Sequence, residues 1–326
     1  MSATELAGRL LAGDRAAVPE ALNLVDDRRP EERSAALELL EELARAERGE
    51  GALRVGLTGA PGAGKSTLLD AIVRQERQRE RSVGIIAVDP SSRRTGGALL
   101  GDRLRLRSGA ADPAVFVRSM AARERLGGLA EATCAGVAIL SAVFDSVYVE
   151  TVGIGQSESD VVHLVDSLVF VTQPDAGDLL QFMKAGILEL PDLFVVNKAD
   201  QGAAAQRTAG ELEAGLGLAE AGRDGWTSRV LLVSAREGRG VGELMQGIED
   251  HRRHLEQSGE LARRRARNRL AYVLDALERR YGSYGVARIG DRDALEGRLR
   301  DARELSAAGL IYALGGEIED ALRKAP

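Results

Sequence analysis

Apolar residues form two different patterns along this chain, which are short continuous runs and repeats with helical periodicity. In the middle, six short runs rich in valine, isoleucine and leucine predict strands near residues 53–58, 83–88, 146–150, 168–172, 193–197 and 229–233. Segments with helical periodicity separate most of these runs. Continuous apolar runs are typical of strands that are buried on both faces. The pattern therefore predicts an α/β fold with a mostly parallel sheet flanked by helices.

At both ends of the chain, the apolar residues show helical periodicity only. Over residues 1–50, leucines recur on one helical face. From residue 256 an apolar stripe has helical spacing and consists of Leu270, Val273, Leu274, Leu277 and Tyr281. We therefore predict an N-terminal helical extension (1–50), a central α/β domain (51–255) and a C-terminal helical segment (256–326).

The two terminal segments are too short to bury cores of their own. We expect each to pack on the central domain or on another subunit. An exposed apolar stripe usually marks an interface between proteins. The C-terminal stripe therefore predicts a homodimer that forms through the C-terminal helices.

The most informative motif directly follows the first predicted strand. It has the pattern G-x-x-x-x-G-K-[ST] and consists of Gly59, Ala60, Pro61, Gly62, Ala63, Gly64, Lys65, Ser66 and Thr67. Its glycines allow a tight turn in which backbone N–H groups point at phosphate oxygens, and the next helix adds positive partial charge. Lys65 is predicted to neutralise the β- and γ-phosphates, and the Ser66 hydroxyl to bind Mg²⁺. This order of strand, loop and helix predicts a P-loop NTPase.

A second motif, N-K-x-D, ends the fifth predicted strand at Asn197, Lys198 and Asp200. The Asp200 carboxylate can accept hydrogen bonds from N1–H and the 2-amino group of guanine, whereas adenine offers neither donor on that edge. The Lys198 stem is expected to cover the ring, and Asn197 to tie this loop to the phosphate-binding loop. After the next strand, Ser234 and Ala235 form a small-residue loop suited to the guanine O6. The predicted nucleotides are therefore GTP and GDP.

Acidic residues near two further strand ends are candidates for magnesium binding. Asp89 ends the second predicted strand, and Asp102 lies in the polar, glycine-rich stretch after it. Both are candidates for holding Mg²⁺ through water or for positioning the attacking water. Glu150 is expected to approach Mg²⁺ through water, the Gly153 N–H to bond a γ-oxygen, and Gln156 to help position water. A helix cap or an ion pair is the alternative role for each carboxylate.

Composition narrows the classes of function. The 326 residues carry a formal net charge of −6, which argues against a general nucleic-acid binder. The run Arg263–Arg269 is interpreted as a solvated basic helix face. The single cysteine, Cys134, excludes an intramolecular disulfide framework and fits a reducing compartment. Because the sequence has neither a signal pattern nor an apolar run of about 18 residues, we expect a cytoplasmic protein without membrane contact.

Longer strings around these motifs resemble the methylmalonyl-CoA mutase-associated GTPases of the MeaB/ArgK type. They read A-V-D-P-S-S at 87–92, T-G-G at 95–97, E-T-V-G-I-G-Q-S-E at 150–158 and G-I-L-E-L at 186–190. The similarity spans nearly the whole chain. The family usually has glycine where this chain has Glu124 and Asp175. We expect the two loops that carry these charges to differ in partner contacts or in the rate of nucleotide-driven rearrangement.

The resemblance implies a homodimeric GTPase that is a chaperone of an adenosylcobalamin-dependent acyl-CoA mutase. Such a protein gates cofactor loading and protects the mutase from inactivation. A nickel-insertion GTPase is one alternative, but it would require metal ligands. This chain has one cysteine and three histidines, of which His251 and His254 have a spacing more typical of a surface pair. A small-molecule kinase linked to transport is the other alternative, and it would require a substrate pocket and a catalytic base.

Overall fold

The computed structural model of this chain describes residues 2–27, 29–46, 48–90, 112–122, 131–151, 160–175, 189–217, 223–302 and 305–324. Its strands are β1 (Leu53–Gly59), β2 (Val83–Pro90), β3 (Val115–Ala122), β4 (Ser146–Thr151), β5 (Ser167–Thr172), β6 (Leu193–Val196) and β7 (Arg229–Leu232). They form one 7-stranded sheet in the order β3-β2-β4-β1-β5-β6-β7, in which all paired neighbours are parallel. The predicted parallel α/β fold is confirmed, and each of the six predicted strands is present.

The sequence pattern does not predict the seventh strand, β3. This strand contains Arg118 and Ser119 and ends in two alanines, so it lacks a continuous apolar run. Among the described strands it lies at one edge of the sheet, next to β2. Side chains on an edge strand are partly exposed, as they are here from Val115 to Ser119. The apolar signal that identifies the central strands is therefore weak in β3.

Ten helices lie within the described ranges. They are α1 (Ala3–Leu11), α2 (Val18–Asp26), α3 (Pro30–Arg45), α4 (Lys65–Gln78), α5 (Glu131–Val143), α6 (Ala203–Gly217), α7 (Val241–Gln257), α8 (Glu260–Ala287), α9 (Arg292–Asp301) and α10 (Ala307–Arg323). In that part of the chain, no helix combines the length and the apolar character that crossing a membrane requires.

Helices cover both faces of the sheet, as predicted. On one face, α4, α6 and α7 share an apolar cluster with the central strands, in which Ile72 and Leu244 are fully buried. On the other face, α5 lies against the sheet, and α1 to α3 pack over it through residues such as Leu10 and Leu22. Each fully buried leucine or isoleucine contributes about 1.5–3 kcal/mol. The N-terminal helices thus pack on the central domain, which is one of the two arrangements expected for them.

The C-terminal stripe is not an exposed surface. Val273, Leu274 and Leu277 of α8 are buried in the same apolar cluster as Leu310 and Leu314 of α10. Leu270 and Tyr281, at its two ends, are partly buried against that cluster. The expectation that this stripe needs a second subunit was wrong, because the last helix of the same chain covers it.

One carboxylate connects the two terminal segments. Glu41 in α3 accepts hydrogen bonds from the backbone N–H and the hydroxyl of Ser306, the residue that caps α10 (2.8–3.2 Å). The helices of residues 1–50 and 256–326 therefore contact each other as well as the sheet domain. The proposed boundaries at these positions stay a prediction.

The arginine run at the start of α8 is not a solvated face. Arg264 is buried and donates to both oxygens of Asp192 (2.8 and 2.9 Å) and to Asp224 (2.8 Å). Arg265 donates to both oxygens of Asp166 (2.6 and 2.7 Å). Burial alone would raise the pKa of Asp166, but the hydrogen bonds and charge of Arg265 lower it below its ordinary value. The interpretation of this run as a solvated face was therefore wrong for these two arginines. Their ion pairs hold α8 against the amino ends of the strands.

Replacing Arg264 with alanine is expected to lower the free energy of unfolding by about 3–5 kcal/mol, because it leaves buried carboxylates without their counter-charge. Arg263→Ala is the matched control. The Arg263 side chain is 65% exposed, against 6% for Arg264, so its loss should change stability by less than about 0.5 kcal/mol. Urea denaturation measures both variants, and equal small losses would show that the buried ion pairs do not fasten α8.

Candidate nucleotide-binding site

The phosphate-binding loop joins β1 to α4 at the carboxyl edge of the sheet. Gly59 has φ +130°, and a Cβ atom there would lie 2.0 Å from the carbonyl oxygen of Val171 in β5. Gly64 has φ +85°, and a Cβ atom there would lie 2.7 Å from Nδ2 of Asn197. Both positions require glycine, because their backbone conformation and the close approach of neighbouring strand ends leave no room for a side chain.

Lys65 is the first residue of α4, and its side chain is buried. Its Nζ atom donates hydrogen bonds to the carbonyl oxygens of Gly59 (2.8 Å) and Ala60 (3.1 Å). The ammonium group therefore lies over the loop, close to the positive end of the helix dipole. A cation held at this place can meet an anion that is bound by the N–H groups of the loop.

Ser66 lies in the first turn of α4 and faces the end of β4. Its hydroxyl donates a 2.6 Å hydrogen bond to Oε1 of Glu150, whose side chain is buried. A hydroxyl and a carboxylate side by side are hard oxygen donors of the kind that Mg²⁺ prefers. They fit a magnesium ion that takes its remaining ligands from nucleotide phosphates and water. The structure thus brings together two of the four predicted magnesium ligands.

The structure describes the remaining candidate site residues only in part. Asp89 lies in β2, where Ala87 pairs with Glu150 of β4, so its backbone belongs to the same carboxyl edge. The side chain of Asp89 lies outside the described part of the chain, as do Asp102, Gly153 and Gln156. The roles of these four residues stay predictions.

Asn197 connects the loops that follow β6 and β7, which are predicted to bind the base, to the phosphate-binding loop. Its Nδ2 group donates to the carbonyl oxygen of Ala63 (2.8 Å), and its Oδ1 atom accepts from the N–H of Ala235 (3.1 Å). The side chain is buried. The predicted contact with the phosphate-binding loop is therefore present, together with a second one that the sequence did not indicate.

Asp200 and Lys198 have partners that sequence reasoning missed. The Ser234 hydroxyl donates to Oδ1 of Asp200 (2.7 Å), and Nζ of Lys198 donates to Oε1 of Gln173. Gln173 directly follows β5, and Ser234 follows β7. Both therefore lie at the carboxyl edge, where ligands of parallel sheets bind. Its position at this edge, directly after a strand, is the signal that identifies Gln173 as a further candidate residue of the nucleotide site.

The environment of Asp200 keeps its carboxylate ionised. The hydrogen bond from Ser234 and a backbone N–H lower the pKa of Asp200 below its ordinary value, with smaller contributions from Arg236 and Arg239. At neutral pH the group is thus an acceptor of hydrogen bonds and not a donor. This is the state that the two donors on the guanine edge require.

Asp175, at one of the two departures from the family pattern, has φ +55°. Residues with side chains seldom adopt this left-handed conformation, for which glycine is the usual choice, although aspartate tolerates it better than most. A glycine, as in the family pattern, would adopt this backbone conformation without strain. Glu124, the other departure, lies outside the described residues.

His251 and His254 do not form the expected surface pair. His251 is fully buried, with Nδ1 2.7 Å from the Ser167 hydroxyl and Nε2 3.3 Å from Oδ1 of Asp192. Burial lowers the pKa of His251 to about 4, so its ring is neutral at pH 7. Nε2 of His254 lies 2.9 Å from the carbonyl oxygen of Asp224. Over the described ranges, His, Cys, Asp and Glu nowhere gather in a group of three that could hold a metal ion.

Comparison with known proteins identifies the family. Residues 18–282 match the profile of the family described as methylmalonyl Co-A mutase-associated GTPase MeaB. The chain belongs to this family. A putative GTPase of Pyrococcus horikoshii is 45% identical over 264 residues, which are 80% of this chain and 81% of the relative. A probable GTPase of Mycobacterium tuberculosis is 42% identical over 311 residues, 93% of this chain and 91% of the relative.

A solved structure agrees with the fold. The match to the crystal structure of a LAO/AO transport system kinase covers 99% of this chain and 98% of that kinase chain, with 28% sequence identity and a TM-score of 0.68. The resemblance found in the sequence strings is confirmed by these relatives. The chain is a P-loop GTPase with GTP and GDP as its nucleotides.

Gly64→Ala is expected to weaken GDP binding about tenfold more than Gly62→Ala. Both residues have positive φ, +85° and +75°, so alanine is strained at either. At Gly64 the added methyl group would also meet Asn197, whereas no described atom lies within 4 Å of it at Gly62. Calorimetric titration with GDP compares the two variants. Equal losses of affinity would contradict a tight contact between Asn197 and the phosphate-binding loop.

Proposed function

We propose that this GTPase is a chaperone of an adenosylcobalamin-dependent acyl-CoA mutase, methylmalonyl-CoA mutase or a relative. It would gate loading of the cofactor and protect the mutase from inactivation. The observation that carries the proposal is the match of residues 18–282 to a family described as mutase-associated. The cytoplasmic location expected from the sequence remains part of the proposal.

The placement of the site residues supports a proposed role for each of them. The N–H groups of residues 59–67 would bind the phosphates, and Lys65 would leave its loop carbonyls for the β- and γ-phosphates. Ser66 would bind Mg²⁺ directly and Glu150 would approach the ion through water, and the ion would neutralise charge that develops on the phosphates. Asp200 would read the guanine edge, with Lys198 beside the ring.

Asp89 and Asp102 are proposed to hold Mg²⁺ through water or to position the attacking water, and Gln156 is proposed to help position that water. Gly153 is proposed to sense that phosphate through its backbone N–H. Asp89, Gly153 and Gln156 lie in the family-like strings at 87–92 and 150–158, and Asp102 lies in the glycine-rich stretch after the second predicted strand. Their arrangement at the nucleotide belongs to the proposal, and a structure with bound GTP would test it.

A homodimer is retained as a proposal on the family resemblance. The apolar stripe of α8 does not support it, since α10 of the same chain covers that stripe. Exposed aromatic residues of the C-terminal helices are Tyr284 (66% exposed) and Tyr312 (56% exposed). Sedimentation of the full chain would decide its oligomeric state.

Two other functions remain as alternatives. Nickel insertion has little support, because the described part of the chain offers no cluster of metal ligands and the ring of His251 is buried, with Nδ1 2.7 Å from the Ser167 hydroxyl. A kinase activity is suggested by the name of the structural relative, a transport system kinase. GTP labelled at the γ-phosphate separates the two reactions: a GTPase yields the label as inorganic phosphate, whereas a kinase transfers it to a second molecule.

The mutase encoded in the same genome is expected to change the nucleotide affinity of this protein. If the mutase distinguishes the GDP from the GTP state, linkage requires that mutase binding alters the relative affinity for the two nucleotides by the same factor. This factor is about 5- to 150-fold for an ordinary coupling of 1–3 kcal/mol. The mutase is also expected to accelerate GTP hydrolysis by ordering the loops around Glu150.

Mixing the two proteins and measuring complex formation, GDP and GTP-analogue affinity, and phosphate release tests this expectation. ADP and ATP are the controls for nucleotide specificity. The absence of a complex in every nucleotide state, with unchanged hydrolysis, would contradict the chaperone role and leave a GTPase with another client.

A further inference from the structure

Strand β4 carries a row of polar side chains that is buried beneath α4. Ser146, Tyr148 and Glu150 are alternate residues of this strand, so their side chains point to the same face. Their exposed fractions are 0%, 1% and 6%. Central strands of parallel sheets are ordinarily apolar at such positions. Polar groups at this depth need hydrogen-bond partners, and α4 supplies them.

The lower contact of this row is with Glu76, near the end of α4. Glu76 is fully buried and accepts hydrogen bonds from the Tyr148 hydroxyl (2.7 Å) and the Ser146 hydroxyl (3.0 Å) through the same oxygen. Nη1 of Arg81 lies 3.7 Å from its other oxygen. A buried carboxylate is costly unless it is hydrogen-bonded. Tyr148 and Ser146 therefore determine where this end of α4 can lie.

The Tyr148 hydroxyl is a dependable donor for this contact. Burial raises the pKa of Tyr148 well above its ordinary value, and the neighbouring Glu76 carboxylate raises it further. The phenol is therefore the proton donor of this hydrogen bond. The contact itself is a matter of geometry, since the two oxygen atoms are 2.7 Å apart.

The upper contact of the row is the hydrogen bond between Ser66 and Glu150. Ser66 and Glu76 are ten residues apart in one helix, which corresponds to about 15 Å along its axis. Hydrogen bonds at both ends fix the position and the rotation of α4 relative to β4. Apolar packing alone would restrain this position and rotation less strictly, because the hydrophobic effect is not directional.

We propose that Tyr148 and Ser146, acting through Glu76, are positioning residues for the magnesium site. The inference rests on the proposed magnesium role of Ser66 and Glu150. The lower contact holds α4 so that the Ser66 hydroxyl stays within reach of the same cation as Glu150. When that contact is lost, α4 can shift against β4, and the two oxygen donors no longer converge.

Tyr148→Phe tests the proposal, with Tyr281→Phe as the matched control. The control removes a chemically equivalent phenol–carboxylate hydrogen bond, 2.8 Å long, between Tyr281 and Glu319 in the C-terminal helices. Binding of fluorescently labelled GDP is titrated at a series of Mg²⁺ concentrations and in EDTA, and the melting temperature is recorded. Tyr148→Phe should raise the Mg²⁺ concentration for half-maximal stabilisation of GDP binding about fivefold, as expected for loss of one hydrogen bond. Its GDP affinity in EDTA should stay at the wild-type value.

Tyr281→Phe should retain the wild-type Mg²⁺ dependence even if its melting temperature falls. Ser146→Ala should shift the Mg²⁺ requirement in the same direction by a smaller factor, and it carries the test if Tyr148→Phe does not fold. A wild-type Mg²⁺ requirement in the variants of both Tyr148 and Ser146 would overturn the proposal and leave these residues a purely structural role. GDP binding by the unmodified protein that is independent of Mg²⁺ would overturn the magnesium site itself.

Discussion

The candidate nucleotide site depends on the position of one side chain, that of Asn197. Its amide donates to the carbonyl oxygen of Ala63 and accepts from the N–H of Ala235, so it joins the loops that follow β1, β6 and β7. The amide is buried, and a buried polar group that loses its partner costs about 1–3 kcal/mol. It is also the reason that Gly64 has no room for a side chain. The spacing between the phosphate-binding loop and Asp200 is therefore set by hydrogen bonds and by steric fit together.

Buried polar groups gather at both ends of the sheet and leave the middle apolar. At the carboxyl edge they form the candidate nucleotide site, in which Lys65 and Glu150 are buried. At the amino edge Asp166 and Asp192 bind the arginines of α8 and fasten the C-terminal helices. Replacing one partner of a buried pair is costly, so each set of polar contacts specifies one arrangement of its neighbours. The polar row of β4 is the exception that runs between the two ends, beneath α4.

Local motifs were predictable from the sequence because their chemistry needs neighbouring residues at fixed spacing. The phosphate-binding loop and the N-K-x-D string are of this kind, as are the apolar runs of the central strands. Contacts between distant segments were not predictable. The stripe of α8 has its partner in α10, near the end of the chain, and nothing in the run Arg263–Arg269 tells which arginines face inward. Gln173 likewise becomes a candidate only when the fold places it beside Lys198.

Recognition of guanine by Asp200 is tested most directly by exchanging its carboxylate for an amide. Asp200→Asn should lose affinity for GDP and gain affinity for XDP, because the amide can donate to the C2 carbonyl of xanthine. We expect the ratio of the two affinities to change by at least about 100-fold. Asp175→Asn, at a side chain that is 73% exposed, is the control and should leave the ratio unchanged. An unchanged ratio in Asp200→Asn, or equal binding of ADP and GDP by the unmodified protein, would contradict the assignment of this site.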